Sequence, residues 1–130
     1  MVKPEGEALP VSVGRYAMYG EIGSGGMATV HLGRAPGPAG ATVAIKRLRP
    51  HLVADQDVVR SFLDEARLSA MVRHPNVVAT LDVVTRGAEA FLVMEYVEGV
   101  SLAALTRGPG GTVARAVPPA VAVAIVAGML

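Results

Sequence analysis

Cysteine and tryptophan are absent from this 130-residue sequence, and aromatic residues make up only 4% of it. Without cysteine the chain can form neither disulfides nor thiolate metal sites, which fits a reducing, cytoplasmic compartment. Because aromatic side chains are scarce, the core must be built from valine, alanine, leucine and methionine. The formal net charge is only +1, so we expect no binding to nucleic acid and see no electrostatic reason for binding to an anionic membrane.

The bulk composition is that of a folded chain, since 52% of the residues are hydrophobic and 18% are charged. Residues 1–14 mix proline, glycine and glutamate and predict a flexible leader without the apolar core of a signal peptide.

Residues 120–130 are apolar on every side, which is typical of a helix buried in a larger protein. We therefore expect the chain to be cut short. A truncated membrane span is the alternative interpretation of this end.

The most distinctive stretch is residues 21–30, Glu-Ile-Gly-Ser-Gly-Gly-Met-Ala-Thr-Val. Its glycines allow a tight turn with exposed N–H groups, which suits phosphate oxygens. The β-branched residues that follow predict a strand. A dinucleotide-binding fingerprint would need a helix there, and a Walker A loop would need Gly-Lys-Ser/Thr. A glycine loop between two antiparallel strands is instead the phosphate-covering loop of protein kinases.

Periodicity predicts a sheet and one large helix. Strands are expected over residues 15–22, 29–34, 42–48, 77–84 and 90–97. Met18 and Ile22 are the inward candidates of the first strand, and the Pro- and Gly-rich residues 35–40 predict a hairpin loop. A further short helix is expected over residues 101–105, with Ser101 as its cap.

The large helix is predicted from residues recurring at spacings of four and three, namely Val58, Phe62, Glu65, Ser69 and Val72. Asp55 or Asp57 can cap its start, and His74-Pro75 ends it. Glu65 falls on the apolar face, where a carboxylate is partly desolvated and needs a partner.

A glycine loop, a Val-Ala-Ile-Lys strand and a helix with an apolar-face glutamate occur here in that order. In this the sequence resembles the N-terminal lobe of eukaryotic-like protein kinases. Gly-Ser-Gly-Gly-Met-Ala-Thr-Val-His-Leu and Val-Met-Glu-Tyr-Val-Glu-Gly most resemble the bacterial Ser/Thr branch. The resemblance runs from Arg15 to Leu130 and implies an α+β fold. A five-stranded antiparallel sheet with one large helix would occupy residues 15–97, and the hinge exit and first helices of the second lobe would occupy residues 98–130.

The resemblance also implies roles for individual residues. Lys46 would contact the α- and β-phosphates of ATP and pair with Glu65, and these two are the implied catalytic residues. The implied nucleotide-binding residues are Ile22, Gly23, Ser24, Gly25, Gly26, Met27, Ala28, Thr29, Val30, Ala44, Lys46, Val78, Met94, Glu95 and Val97. Ala28 stands where the family usually has a third glycine. Met94 fills the gatekeeper position, and residues 95–97 match the hinge.

No metal site is predicted, because His31, His51 and His74 share neither a face nor a ligand spacing. The sequence contains neither His-Arg-Asp nor Asp-Phe-Gly, the kinase motifs that supply the general base and the Mg²⁺ ligands. We therefore expect an ATP-binding half-site, inactive by itself. Its parent would use ATP and Mg²⁺ to phosphorylate protein Ser/Thr hydroxyls.

Two alternative functions are compatible with the sequence. One is a pseudokinase, a scaffold that binds nucleotide without chemistry. It would be recognised by the loss of the catalytic and metal-binding acids further along the chain. The other is a nicotinamide-dependent dehydrogenase, which would require a helix directly after Gly26 and a parallel sheet.

Overall fold

The structure is a computed structural model that describes residues 9–100 together with Leu102 and Ala104. The chain divides into two compact units, Met1–Tyr96 and Val97–Leu130. The short helix expected over residues 101–105 falls mostly outside the described residues, although Leu102 and Ala104 are both helical. The apolar run over residues 120–130 and the first eight residues of the predicted leader also lie outside them.

In the described part of the first unit, strands and one α-helix follow in the order β1 Val11–Val13, β2 Tyr16–Ser24, β3 Ala28–Arg34, β4 Thr42–Leu48, α1 Gln56–Met71, β5 Thr80–Arg86 and β6 Glu89–Glu95. A 3-10 turn, Pro50–Leu52, precedes α1. All paired strands are antiparallel, in the order β1-β2-β3-β4-β6-β5. The predicted α+β class and the single large helix are confirmed. The predicted count of five strands is wrong, because the described residues form a sheet of six.

The additional strand is β1, which lies inside the predicted flexible leader. Its last residue, Val13, is fully buried. The Arg86 guanidinium donates a hydrogen bond of 2.8 Å to the Ser12 carbonyl. The Tyr16 hydroxyl donates another, of 3.1 Å, to Asp82. The first bond joins β5 to β1, the two strands at opposite ends of the sheet order, and the second joins β2 to β5. The sheet therefore curls until its edges meet.

Both faces of the curled sheet are buried. One buried cluster comprises Val13, Tyr16, Met18, Val43, Ile45, Phe91 and Val93. The other joins the sheet to α1 and comprises Ala28, Leu48, Phe62, Ala66, Ala90 and Leu92. Side chains alternate along a strand, so Ala44, Lys46 and Leu48 of β4 share the face that α1 covers.

Asp55 precedes the first residue of α1, and its carboxylate accepts hydrogen bonds from the N–H groups of Asp57 and Val58. Of the two capping candidates, Asp55 is therefore the cap. The predicted face is partly wrong, because the buried helix residues are Phe62 and Ala66 while the Glu65 side chain is 66% exposed. Ala66 lies one turn after Phe62, and its small side chain allows close approach to the sheet.

Two strand boundaries differ from the predictions. Strand β5 begins at Thr80, so Val78 lies before the strand and is exposed. Strand β2 continues to Ser24, and Ile22 is exposed where an inward position was expected. The pairing of β2 with β3 shifts twice between Met18 and Gly23. Each such irregularity changes which face of the sheet the following side chains point to. Ile22 therefore does not share the buried face of Met18, as simple inward–outward alternation would predict.

Candidate functional site

The glycine-rich stretch forms a tight hairpin turn between β2 and β3. The N–H of Gly25 donates to the carbonyl oxygen of Ala28 at 2.9 Å, which leaves Gly26 and Met27 at the tip. Arg49, directly after β4, donates to the Gly25 carbonyl from Nε at 3.1 Å and from Nη2 at 2.8 Å. Its backbone N–H donates to the Met27 carbonyl at 2.9 Å. The turn is thus held by the end of the strand that carries Lys46.

Neither backbone conformation nor protein packing explains the glycines of this turn. In the described part of the chain, positive φ values occur only at Gly14, Gly37 and Gly87. A Cβ atom added at Gly26 would meet nothing within 4 Å, and at Gly23 or Gly25 its nearest neighbour would lie 3.9 Å away. The missing side chains therefore leave open space beside the backbone, as close approach of a ligand requires.

The side chain of Ala28 is buried, whereas a residue of a nucleotide-binding loop is expected to face the ligand. Its side chain is buried in the cluster that contains Leu48 and Phe62. Among the described residues no residue other than glycine has a positive φ, so alanine is not strained here. Only the backbone of Ala28 contributes to the turn.

The expected lysine–glutamate pair is formed. The Nζ atom of Lys46 lies 3.5 Å from Oε1 of Glu65, and their side chains are 29% and 66% exposed. Lys46 also lies over the Phe62 ring, 5.8 Å from its centroid. Because Glu65 is mostly in solvent, the pair adds little to the free energy of unfolding. Its main effect is to direct the ammonium group.

An apolar surface lies beside this pair. Val30 is opposite Lys46 in the β3–β4 pairing, and Ala44 is opposite Met94 in the β4–β6 pairing. Directly opposite residues of antiparallel strands point to the same face, so Val30, Ala44 and Met94 line the sheet on the side of Lys46.

Three other predicted nucleotide-binding residues lie outside the strand positions that line this surface or at a strand end. Val78 precedes β5 and is 45% exposed, and Val97 belongs to the second unit. Glu95 ends β6, where its backbone N–H donates to the Ala79 carbonyl at 2.9 Å and its carboxylate accepts from the Ala79 N–H at 3.3 Å. The Glu95 carboxylate therefore holds the segment before β5.

Two residues outside the predicted site stabilise the glycine hairpin. One is Arg49, described above. The other is His31, whose Nδ1 lies 3.0 Å from the Tyr19 carbonyl and whose Nε2 lies 3.0 Å from the Thr29 hydroxyl. A carbonyl only accepts, so in the neutral ring Nδ1 carries the proton and Nε2 accepts from Thr29. Tyr19 lies in the irregular part of the β2–β3 pairing, and His31 binds its carbonyl there.

The donors at this surface suit a polyphosphate better than a metal ion. Lys46 supplies a cation, and the glycine turn supplies exposed backbone. Residues 9–100 contain no group of three or more His, Asp or Glu side chains that could hold a metal ion. Over the same residues, no helix is long and apolar enough to cross a membrane.

Comparison with known proteins agrees with this geometry. The family model of the protein kinase domain matches residues 16–130. The serine/threonine-protein kinase pkn2 of Myxococcus xanthus is 45% identical over 97 residues, which cover 74% of this chain and 12% of that protein. The tyrosine-protein kinase MasK of the same species is 35% identical over 99 residues, covering 75% of this chain and 15% of that protein.

The fold is similar to that of solved kinase domains. The crystal structure of the Mycobacterium tuberculosis PknI kinase domain matches 94% of this chain and 48% of its own, with a TM-score of 0.72 and 26% identity. This chain spans between 12% and 15% of the length of the two curated relatives named above. Since the family model covers most of the sequence and the fold agrees, the chain belongs to the protein kinase domain family.

Proposed function

We propose that this unit binds ATP and that, within a longer kinase chain, it directs the γ-phosphate to a serine or threonine hydroxyl of a protein. The observation that carries the proposal is the Lys46–Glu65 pair, with 3.5 Å between Nζ and Oε1, on the same sheet face as Val30 and close to the glycine hairpin. A directed ammonium group and unshielded backbone N–H groups are the two donor types that protein kinases use for the phosphates.

Each part of the surface has a task in this proposal. Lys46 binds phosphate oxygens, and Glu65 keeps the ammonium from turning into solvent. The apolar side chains of Val30, Ala44 and Met94 offer contact to the adenine ring. Ala44 is small, which leaves room for a flat ring against β4. ATP would supply the transferable phosphoryl group, and Mg²⁺ would offset its charge.

The catalytic base and the Mg²⁺ ligands must come from elsewhere in a kinase chain, because the sequence contains neither His-Arg-Asp nor Asp-Phe-Gly. We propose Ser/Thr rather than Tyr as the acceptor. The relatives named as serine/threonine kinases include pkn2 and PrkC of Bacillus subtilis, whereas MasK is named as a tyrosine kinase. The residues of the site described above contact the donor, so they do not select the acceptor.

The chain offers a direct test, because Lys3 and Lys46 are its only lysines. An acyl-phosphate derivative of ATP acylates a lysine whose amine reaches its carbonyl carbon, with ATP as the leaving group. We expect the probe to label Lys46 and excess ATP to suppress the labelling, as measured by peptide mass spectrometry. Lys3 is the internal control. Equal labelling of both lysines, unaffected by ATP, would contradict the proposal.

Variants of the paired carboxylate refine the test. Glu65→Gln should reduce the labelling of Lys46, because the neutral amide no longer directs the ammonium group. Asp64→Asn is the matched control, since Asp64 is the adjacent carboxylate and pairs with Arg67 on the helix surface. In a full-length kinase carrying this unit, Lys46→Met should abolish phosphoryl transfer. ATP binding without any transfer in the unmodified full-length protein would favour the pseudokinase alternative.

A further inference from the structure

Arg49 makes three hydrogen bonds to the glycine hairpin although it belongs to neither of the hairpin strands. Two come from its guanidinium to the Gly25 carbonyl, at 2.8 and 3.1 Å, and one runs from its backbone N–H to the Met27 carbonyl, at 2.9 Å. The two carbonyls flank the tip of the turn. Arg49 thus holds both sides of the tip from outside the hairpin.

Because the peptide unit is planar, restraining the Gly25 carbonyl also restrains the N–H of Gly26. In a trans peptide the C=O of one residue and the N–H of the next point in opposite directions and cannot rotate independently. Fixing the Gly25 carbonyl against Arg49 therefore also fixes the Gly26 N–H, which points the opposite way within the same peptide plane. Gly26 is exposed, and a Cβ atom there would meet nothing within 4 Å, so a ligand can approach this residue closely.

A glycine turn without such a hold would sample many orientations of its peptide planes, since glycine restricts the backbone least. A phosphate that bound the turn would then have to order it, which costs affinity. The guanidinium is suited to the hold because its donors are arranged in a rigid fork.

We propose that Arg49 is a positioning residue that pre-orients the Gly26 N–H for a phosphate oxygen. The ligand rests on the proposed function, because it is the polyphosphate of ATP. The hold itself is a property of the ligand-free protein. Lys46 and Arg49 are three residues apart at the end of β4, so one short segment would set both the cation and the turn.

Nuclear magnetic resonance of the ¹⁵N-labelled full chain tests both parts of the proposal. Arg49→Gln removes the charge and the fork, whereas Arg49→Lys keeps the charge and removes the fork. In the absence of ligand, both variants should shift the Gly26 amide resonance and speed its hydrogen exchange. Arg60→Gln, at an exposed arginine of α1, is the control and should leave the Gly26 amide unchanged.

Titration with ATP and with adenosine then separates phosphate binding from base binding. Both Arg49 variants should bind ATP about tenfold more weakly, the loss expected for one hydrogen bond of moderate net strength. Adenosine, which has no phosphate, should bind all variants alike. If Arg49→Lys bound ATP as tightly as the unmodified chain, the effect would be one of charge and the positioning role would be refuted.

The outcomes also separate this inference from the proposed function. If the unmodified chain bound no ATP, the proposed function would fail, and the Gly26 amide would still decide whether Arg49 holds the turn. If the chain bound ATP and neither variant changed the affinity or the Gly26 amide, the inference would fail alone.

Discussion

Replacing Glu89 by glutamine should destabilise the first unit in a way that depends on pH. Glu89 begins β6, its side chain is 25% exposed, and its carboxylate accepts from Arg86 Nη2 at 2.7 Å. Arg47 donates to the other carboxylate oxygen. Hydrogen bonds from Arg86 first, and then from Arg47, hold the pKa of Glu89 below the usual 4.5.

The expected loss in the free energy of unfolding follows from the hydrogen bonds that Glu89→Gln weakens. Charge-assisted hydrogen bonds contribute roughly 1.5–3 kcal/mol each when buried. Because this cluster is partly exposed, we expect Glu89→Gln to lower the free energy of unfolding by about 1–2 kcal/mol at neutral pH. The pKa is lower in the folded state than in the unfolded chain. The stabilisation is therefore fully present above the unfolded-state value and is lost as the pH falls through the folded-state value.

Urea unfolding followed by far-ultraviolet circular dichroism, repeated at a series of pH values from neutral to acid, measures this difference. The unmodified chain and Glu89→Gln should differ most at neutral pH and converge in acid. Asp64→Asn is the matched control, because its pair with Arg67 is exposed and should contribute less than about 1 kcal/mol. A difference that stayed constant with pH would refute the reasoning, and so would a variant as stable as the unmodified chain.

Three further substitutions test the packing that supports the site. Gly33→Ala places a Cβ atom 2.6 Å from Cδ1 of Ile45 and should cost about 1–3 kcal/mol of stability, and Ile45→Val should recover part of it in a double-mutant cycle measured by urea unfolding. Asp55→Ala removes the cap of α1 and should cost about 1 kcal/mol in the same assay. Phe62→Ala should cost about 3–5 kcal/mol and should also lower ATP-sensitive acylation of Lys46, which lies over the Phe62 ring.

Much of the fold could be predicted because its signals are local. The meander of β2, β3 and β4 is marked by alternation within each strand and by proline and glycine in the loop after β3. Strand β1 could not be found in this way. It has only three residues, and although it pairs with the adjacent β2, the burial of Val13 and the bond to Arg86 depend on residues far along the chain.

The candidate site likewise contains residues that the sequence predicts and residues that it does not. Lys46 and Glu65 were predicted from motifs, and the structure brings their charged atoms together. The predicted burial of Glu65 failed because Ala66, which carries a weak hydrophobic signal, faces the sheet instead. Arg49 and His31 act on backbone carbonyls. Every residue has a carbonyl, so such contacts leave no pattern in the sequence.

The register of β4 connects the stability of the sheet to the geometry of the site. Val43 and Ile45 are buried on one face of the strand, and Lys46 lies on the other face, toward Glu65. A slip of one residue would turn Lys46 into the cluster that contains Phe91 and Val93 and would remove Val43 and Ile45 from it. It would also move Arg49 away from the Gly25 carbonyl. The apolar residues of β4 thus fix the positions of both cations, and this is why core packing should affect nucleotide binding even where no core atom contacts the ligand.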